Sequence, residues 1–141
     1  MNLGFKTEFP DGTPTNFVQK ILDGEKIHTI RLDNNDRWGN GLTIHFATGI
    51  RTKKYKCFKV CECVSTQKIE FIWRLNNKGF GNESWQVMVF IDEINVTSKT
   101  GLIDQLAKND GFNDRKQFFE WEGWYKKDFE GKILHWTNKK Y

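Results

Sequence analysis

Lys26, Thr29 and Arg31 lie close together in the chain and bring an amine, a hydroxyl and a guanidinium to one short segment. A lysine amine beside a hydroxyl serves as a general base when burial or a neighbouring cation lowers its proton affinity. Arg31 would supply that cation, and its planar fork can hold a carbonyl or a phosphate through two hydrogen bonds. The set is therefore at least an anion site, and a candidate site of chemistry. The competing reading is an ordinary polar face of an edge strand. Thr29 and Arg31 are two residues apart, so on a strand they project from one face.

The elements that must present these groups are legible around them. Phe17, Val18, Ile21 and Leu22 form one apolar helical face. Thr13-Pro14 supplies a start, with proline at the first helical position. Gly24 ends the helix, because a glycine admits the positive φ that turns the chain out. A strand over about 27–32 follows, and burying both Ile27 and Ile30 would require a twist or bulge between them. Residues 33–41, Asp-Asn-Asn-Asp-Arg-Trp-Gly-Asn-Gly, read as a loop. A second strand spans about 42–47.

The order Gly24, Lys26, Thr29, Arg31 after a helix resembles the Gly-x-Lys-x-x-Thr-x-Arg motif of the ASCH family, within the PUA-like superfamily. Asp33, the pair Arg37-Trp38, Gly41 and the strand Leu42–Phe46 continue the resemblance, which covers most of the chain. It implies a small PUA-like α+β barrel of about five to six strands with flanking helices, and a cleft at the first barrel strand that binds RNA or a modified nucleoside. Some members of that family are N4-acetylcytidine amidohydrolases that use the motif Lys, the motif Thr and a later Glu. By resemblance Lys26 is the base and Thr29 the nucleophile. Asp110 aligns best with the acidic residue, ahead of Asp104 and Glu120. Asp is one methylene shorter than Glu, and a misplacement of about 1 Å can cost on the order of a hundredfold in rate.

Other residues extend the candidate site. Arg51, Lys53, Lys54 and Lys56 surround Tyr55, as in a rim that contacts phosphates while Tyr55 stacks on a base. A solvated loop is the plainer reading, and Lys139 with Lys140 would extend the patch. Trp38 either plugs the end of the sheet or lines the cleft and stacks on a nucleobase. His28, His45 and His135 sit on different elements without metal spacing, so no metal is expected. No P-loop, dinucleotide fingerprint or serine elbow occurs, and no cofactor is expected.

Downstream, strands are expected at about 56–65, 67–75, 85–92 and 131–137, with a turn over 76–84. Ser98 would cap a helix over about 99–109, closed by Asn109-Asp110-Gly111. Asn113 would cap another over about 114–125, with Phe118, Phe119 and Trp121 facing inward. Trp85, Trp124 and Trp136 read as core. The polar stretch 1–12 reads as an irregular arm.

At 141 residues one domain is the default, and twelve Phe with six Trp exclude a disordered chain. A net charge of +4 permits a nucleic-acid partner without requiring one. The third hypothesis, a protein-interaction domain, would use the aromatic helix near 118–125. Cys57, Cys61 and Cys63 are odd in number and lack zinc spacing, which points to reduced core thiols on one strand face. With no apolar run long enough to span a bilayer and no signal-peptide pattern, the expectation is a cytosolic protein, monomeric or weakly dimeric, with no membrane partner.

Overall fold

The alternation of Leu3 and Phe5 at the start of the chain makes a strand where an irregular arm was expected. The computed structural model describes residues 1–77, 81, 83–121 and 123–141. In it β1 (Asn2–Gly4) pairs in parallel with β3 (Thr43–Thr48), and Leu3 and Phe5 enter the core. Between them come α1 (Phe17–Leu22) and β2 (His28–Arg31). The remaining elements are β4 (Lys56–Glu62), β5 (Ser65–Asn77), β6 (Glu83–Ile91), the two-residue β7 (Ile94–Asn95), α2 (Leu102–Asn109), α3 (Arg115–Trp121) and β8 (Phe129–His135). The turn expected over 76–84 falls partly outside the described residues, as does position 122 of the last expected helix.

The domain is α+β and mostly sheet, as expected, but among the described residues the strands form two sheets and no closed barrel. One has the order β1-β3-β4 and the other β2-β8-β5-β6-β7. β4 runs almost directly into β5, so the chain passes from one sheet to the other through Cys63 and Val64. Cys63 donates its N–H to Leu42, and Val64 donates to His135. That corner joins the sheets without a continuous ladder around them.

The core is strongly aromatic. Phe71 lies 5.2 Å from Phe119 and 5.9 Å from Phe118, both edge to face, and 5.3 Å from Trp124 and 5.8 Å from Phe129. Each such ring contributes about 1.5–3 kcal/mol by burial, and a favourable ring pair adds about 0.5–1.5 kcal/mol. Trp124 is buried as expected, whereas Trp85 is 38% exposed on β6 and Trp121 and Trp136 are half-buried. Of the cysteines only Cys63 is buried. Cys57 is exposed and Cys61 half-buried, because β4 belongs to the small sheet, whose outer face is open.

Two helix starts differ from expectation for local reasons. Pro14 bridges Glu8 in a small hairpin, and α1 begins at Phe17, whose N–H donates to Thr15 Oγ1 at 3.3 Å. Thr97 Oγ1 accepts from Val89 N–H, tying that segment to β6. α2 therefore starts at Leu102 after Gly101, not from a cap at Ser98. The next helix begins with Asp114 accepting from Gln117 N–H at 2.8 Å, while Asn113 donates its N–H to the Gln117 side chain. Among the described residues no helix is long and apolar enough to cross a membrane.

Candidate functional site

The last turn of a helix leaves carbonyls without partners. At the end of α2 those carbonyls meet donors from the α1–β2 connection. Ile27 N–H donates to Asn109 O at 2.9 Å, Lys20 Nζ donates to Gly111 O at 2.7 Å, and Lys26 Nζ donates to Asp110 O. Gly24, at φ +77°, turns the chain out of α1, and the N–H groups of Glu25 and Lys26 return to Lys20 O. The end of α1 and the connection after it thus cap the end of α2, and the connection is fixed with Lys26 pointing inward.

Lys26 Nζ forms an ion pair with Asp110 Oδ1 and also donates to His28 O at 3.1 Å. Both side chains are 2% exposed. An ammonium has three hydrogens, and these acceptors occupy them. Burial pushes the Asp110 carboxyl above the ordinary carboxylate range, and the nearby charges of Lys26 and Arg31 pull it part of the way back. Gly111, at φ +90°, lets the strand of chain after Asp110 press on the lysine stem. A Cβ there would stand 3.0 Å from Lys26 Cδ and 3.1 Å from the Phe17 ring.

Above this pair opens a cavity of about 300 Å³. Its polar lining is Lys6, Lys26, Thr29 and Arg31, and its aromatic lining is Phe5, Phe17, Phe112 and Trp121. Thr29 and Arg31 alternate with His28 and Ile30 along β2, so the two-residue spacing does place them together. Arg31 Nη2 donates to Gly4 O at 2.9 Å, which ties β1 to the rim. Lys26 Nζ lies 4.8 Å over the Phe17 ring and 5.7 Å over Phe5, and Lys6 Nζ lies 5.1 Å over Trp121. The arrangement offers a hydroxyl, a buried acid–base pair, a guanidinium and flat apolar walls around a small volume.

Of the expected residues, Lys26, Thr29, Arg31 and Asp110 are brought together. Asp104 is engaged elsewhere in a two-pronged pair with Arg115, both bonds 2.7 Å, and Glu120 borders an outer groove with Trp121 and Pro10. Trp38 does not line the cavity. Asp33 accepts the N–H groups of Arg37 and Trp38, folding the loop so that the indole enters the core at 6% exposure, unavailable for stacking. Arg51, Lys53, Lys54 and Tyr55 are exposed on the β3–β4 turn and do not line the cavity either. A neighbouring groove lined by Gly49 and Ile50 shares Gly4, Phe5 and Lys6 with it.

Sequence reasoning missed Phe5, Lys6, Phe17, Phe112 and Trp121 as cavity walls. The first two lie in the supposed arm, where the Leu3–Phe5 alternation was the available signal. Phe17 and Trp121 were read as helix packing residues, and they are that as well, whereas Phe112, between the two expected helices, carried no signal.

Behind β2 lies a buried polar cluster. Asn109 Nδ2 donates to Tyr141 Oη at 2.7 Å, so the tyrosine hydrogen goes to His28 Nε2 at 2.6 Å. Gln67 Oε1 accepts from Tyr141 N–H and from His135 Nε2, at 2.8 and 3.1 Å. His28 and His135 are fully buried, and burial holds both imidazoles below their ordinary proton affinity, His135 at about 4. They are neutral core groups, and the Nδ1 atom of each has no hydrogen-bond partner.

No protein-family model, no curated protein and no solved structure matches this chain.

Proposed function

We propose that this protein is an amidohydrolase of the ASCH type, acting on an acylated exocyclic amine of a nucleoside such as N4-acetylcytidine. The observation that carries the reading is the Lys26–Asp110 pair, buried at the wall of a cavity that Thr29 also lines. Two charges taken out of water are costly, and perturbed buried pairs beside a cavity concentrate at functional sites. The cavity volume stands at the low end of the range for small-molecule sites, and aromatic walls suit a flat base.

In this reading Thr29 Oγ1 attacks the acyl carbon, and Lys26 takes the hydroxyl proton. Lys26 must be neutral to do so. The raised proton affinity of Asp110 makes transfer across the ion pair less costly, which frees the amine. Arg31 faces the oxygen on which negative charge develops. The C–N bond then breaks, the leaving amine takes the proton from Lys26, and water hydrolyses the threonine ester to release the acid.

Incubation with N4-acetylcytidine, followed by chromatography, tests this. Thr29→Ala and Lys26→Ala are each expected to lower turnover by at least about a thousandfold, the scale of losing a nucleophile or its base. Thr29→Ala lies on an ordered strand and should keep its melting temperature within a few degrees. Full activity in that variant would exclude the threonine nucleophile.

A second reading, recognition of RNA, is favoured by the exposed basic turn. Arg51, Lys53 and Lys54 surround Tyr55, which is 46% exposed, and the groove at Gly49 leads from that turn to the cavity. Charge reversal at Lys53 and Lys54 is expected to reduce the salt dependence of RNA affinity by roughly two phosphate contacts. An unchanged salt slope would remove the turn from the interface.

A further inference from the structure

The outer edge of β6 is covered over only part of its length. Its outer neighbour among the described residues is the two-residue β7, which pairs with Phe90 and Ile91. Just beyond, Val89 O accepts from Val96 N–H at 2.9 Å and Val89 N–H donates to Thr97 Oγ1 at 2.8 Å, so both backbone groups of Val89 point outward. Along a strand these groups alternate sides from one residue to the next. β6 pairs with β5 in unbroken register from Glu83 to Ile91, so Val87 and Trp85 also point outward, while Gln86 and Met88 point to β5. The chain leaves this edge after Thr97, and among the described residues no strand stands beside Trp85 and Val87. An uncovered row of this kind is a template for another strand.

Beside that row lies a groove of about 560 Å³. β6 forms one bank through Trp85 and Val87, and the helices form the other through Ile103 of α2 and Phe119 of α3. Val87 faces the helices, since its partner on β5 is Trp73, which stands 5.2 Å from Phe119. Trp73 and Tyr125 also line the groove, edge to face at 5.3 Å. Trp85 and Tyr125 are exposed, so these apolar walls are open to solvent. α3 thus gives Trp121 to the cavity and Phe119 to this separate groove.

We propose that the groove docks an extended peptide segment of another protein, added antiparallel to β6 in line with β7. The segment's residue opposite Val87 exchanges two backbone hydrogen bonds with it and sets an apolar side chain against Ile103 and Phe119. The residue two positions along does the same at Trp85, beside Tyr125. Backbone pairing supplies affinity, and the alternate side chains supply choice of partner. The outward N–H and C=O groups of Trp85 and Val87 select a strand over a helix, and β7 shows that this edge accepts one. A slot between a strand and two helices admits a lone segment more readily than the edge of a second copy, which carries its own α3 beside its own β6. The site is independent of the reaction proposed for the cavity.

The capped peptide acetyl-Thr-Val-Thr-Val-Thr-amide, titrated into the isotope-labelled protein and followed by NMR, tests the proposal. Binding with a Kd below about 1 mM is expected, with the N–H signals of Trp85 and Val87 moving most. At saturation the hydrogen exchange of those two groups should slow by at least about tenfold, while Gln86 and Met88, which face β5, should change little. Methylating the two valine amide nitrogens of the peptide should abolish binding, and methylating the middle threonine amide should leave affinity within about threefold. Trp85→Ala is expected to weaken binding by at least about tenfold. No binding at about 1 mM, binding that survives methylation of the valine amides, or unchanged affinity in Trp85→Ala would each overturn the proposal. Protection of Trp85 and Val87 that rises with protein concentration in the absence of peptide would also overturn it, assigning the edge to a second copy of the chain.

Discussion

Asp110→Ala is expected to lower the unfolding free energy by about 3–5 kcal/mol, because it leaves the ammonium of Lys26 buried without its carboxylate. For a domain of this size that is a fall in melting temperature of roughly 10 °C or more. The loss does not measure what the pair contributes, since most of it is the penalty of an uncompensated buried charge. Lys26→Met/Asp110→Leu should therefore recover most of the stability, as an apolar pair of similar volume often does. Denaturant melts of the wild type, the single variant and the double variant read the comparison directly. A single-variant loss below about 1 kcal/mol would mean that water or another anion reaches Lys26. A double variant that is stable but inactive would separate the chemical role of the pair from its structural one.

Acidification is expected to produce the second large effect. His28 and His135 both hold a folded proton affinity below that of a free imidazole, His135 at about 4 against an ordinary 6.5. The unfolded chain therefore takes up protons as the pH falls through about 6.5, and the folded chain does not. Stability is lost from there downward, and the share of His135 levels off near 4. That residue alone accounts for about 3 kcal/mol, and His28 acts with the same sign over a window reaching lower. Asp110 opposes this trend. Its folded carboxyl binds a proton more readily than the unfolded one, so it gains some stability as the pH falls through its folded value. Below 3.8 Asp33 adds to the loss, its folded value being lowered. Urea midpoints at about pH 7.5 and about pH 4.5 would show the fall, and His135→Gln should flatten it. Equal midpoints at the two values would mean that these rings are not held neutral.

Much of the site could be read from residue type and spacing, because its first half is local. Gly24, Lys26, Thr29 and Arg31 belong to one helix–turn–strand unit whose geometry follows from a glycine stop and a two-residue repeat. Asp110 was reachable only through the family pattern. Its proximity to Lys26 depends on how the α1–β2 connection caps the end of α2, which no local signal encodes. Trp38 shows a different limit. An aromatic residue in a polar loop reads equally as plug or platform, and what decides is the pair of N–H bonds to Asp33 that turns the indole inward. The exposed Cys57 and Trp85 lie on strands whose outer faces are uncovered, a property of sheet stacking that alternation alone does not reveal. Among the described residues the expected barrel is not closed, and at the Cys63–Val64 corner one strand hands the chain to a second sheet.

The pairing of His28 with His135 sets the first functional strand beside the last strand of the fold. Among the described residues β2 has no other strand partner, so it stays unpaired until a segment about a hundred residues later is available. Closing so long a loop is slow compared with forming local hairpins, and a ribosome adding roughly 5–20 residues per second takes several seconds to deliver β8. Through that interval Lys26 and Thr29 are present in the nascent chain without a site. The cavity and the buried Lys26–Asp110 pair are thus end products of folding, and a partly made chain carries neither.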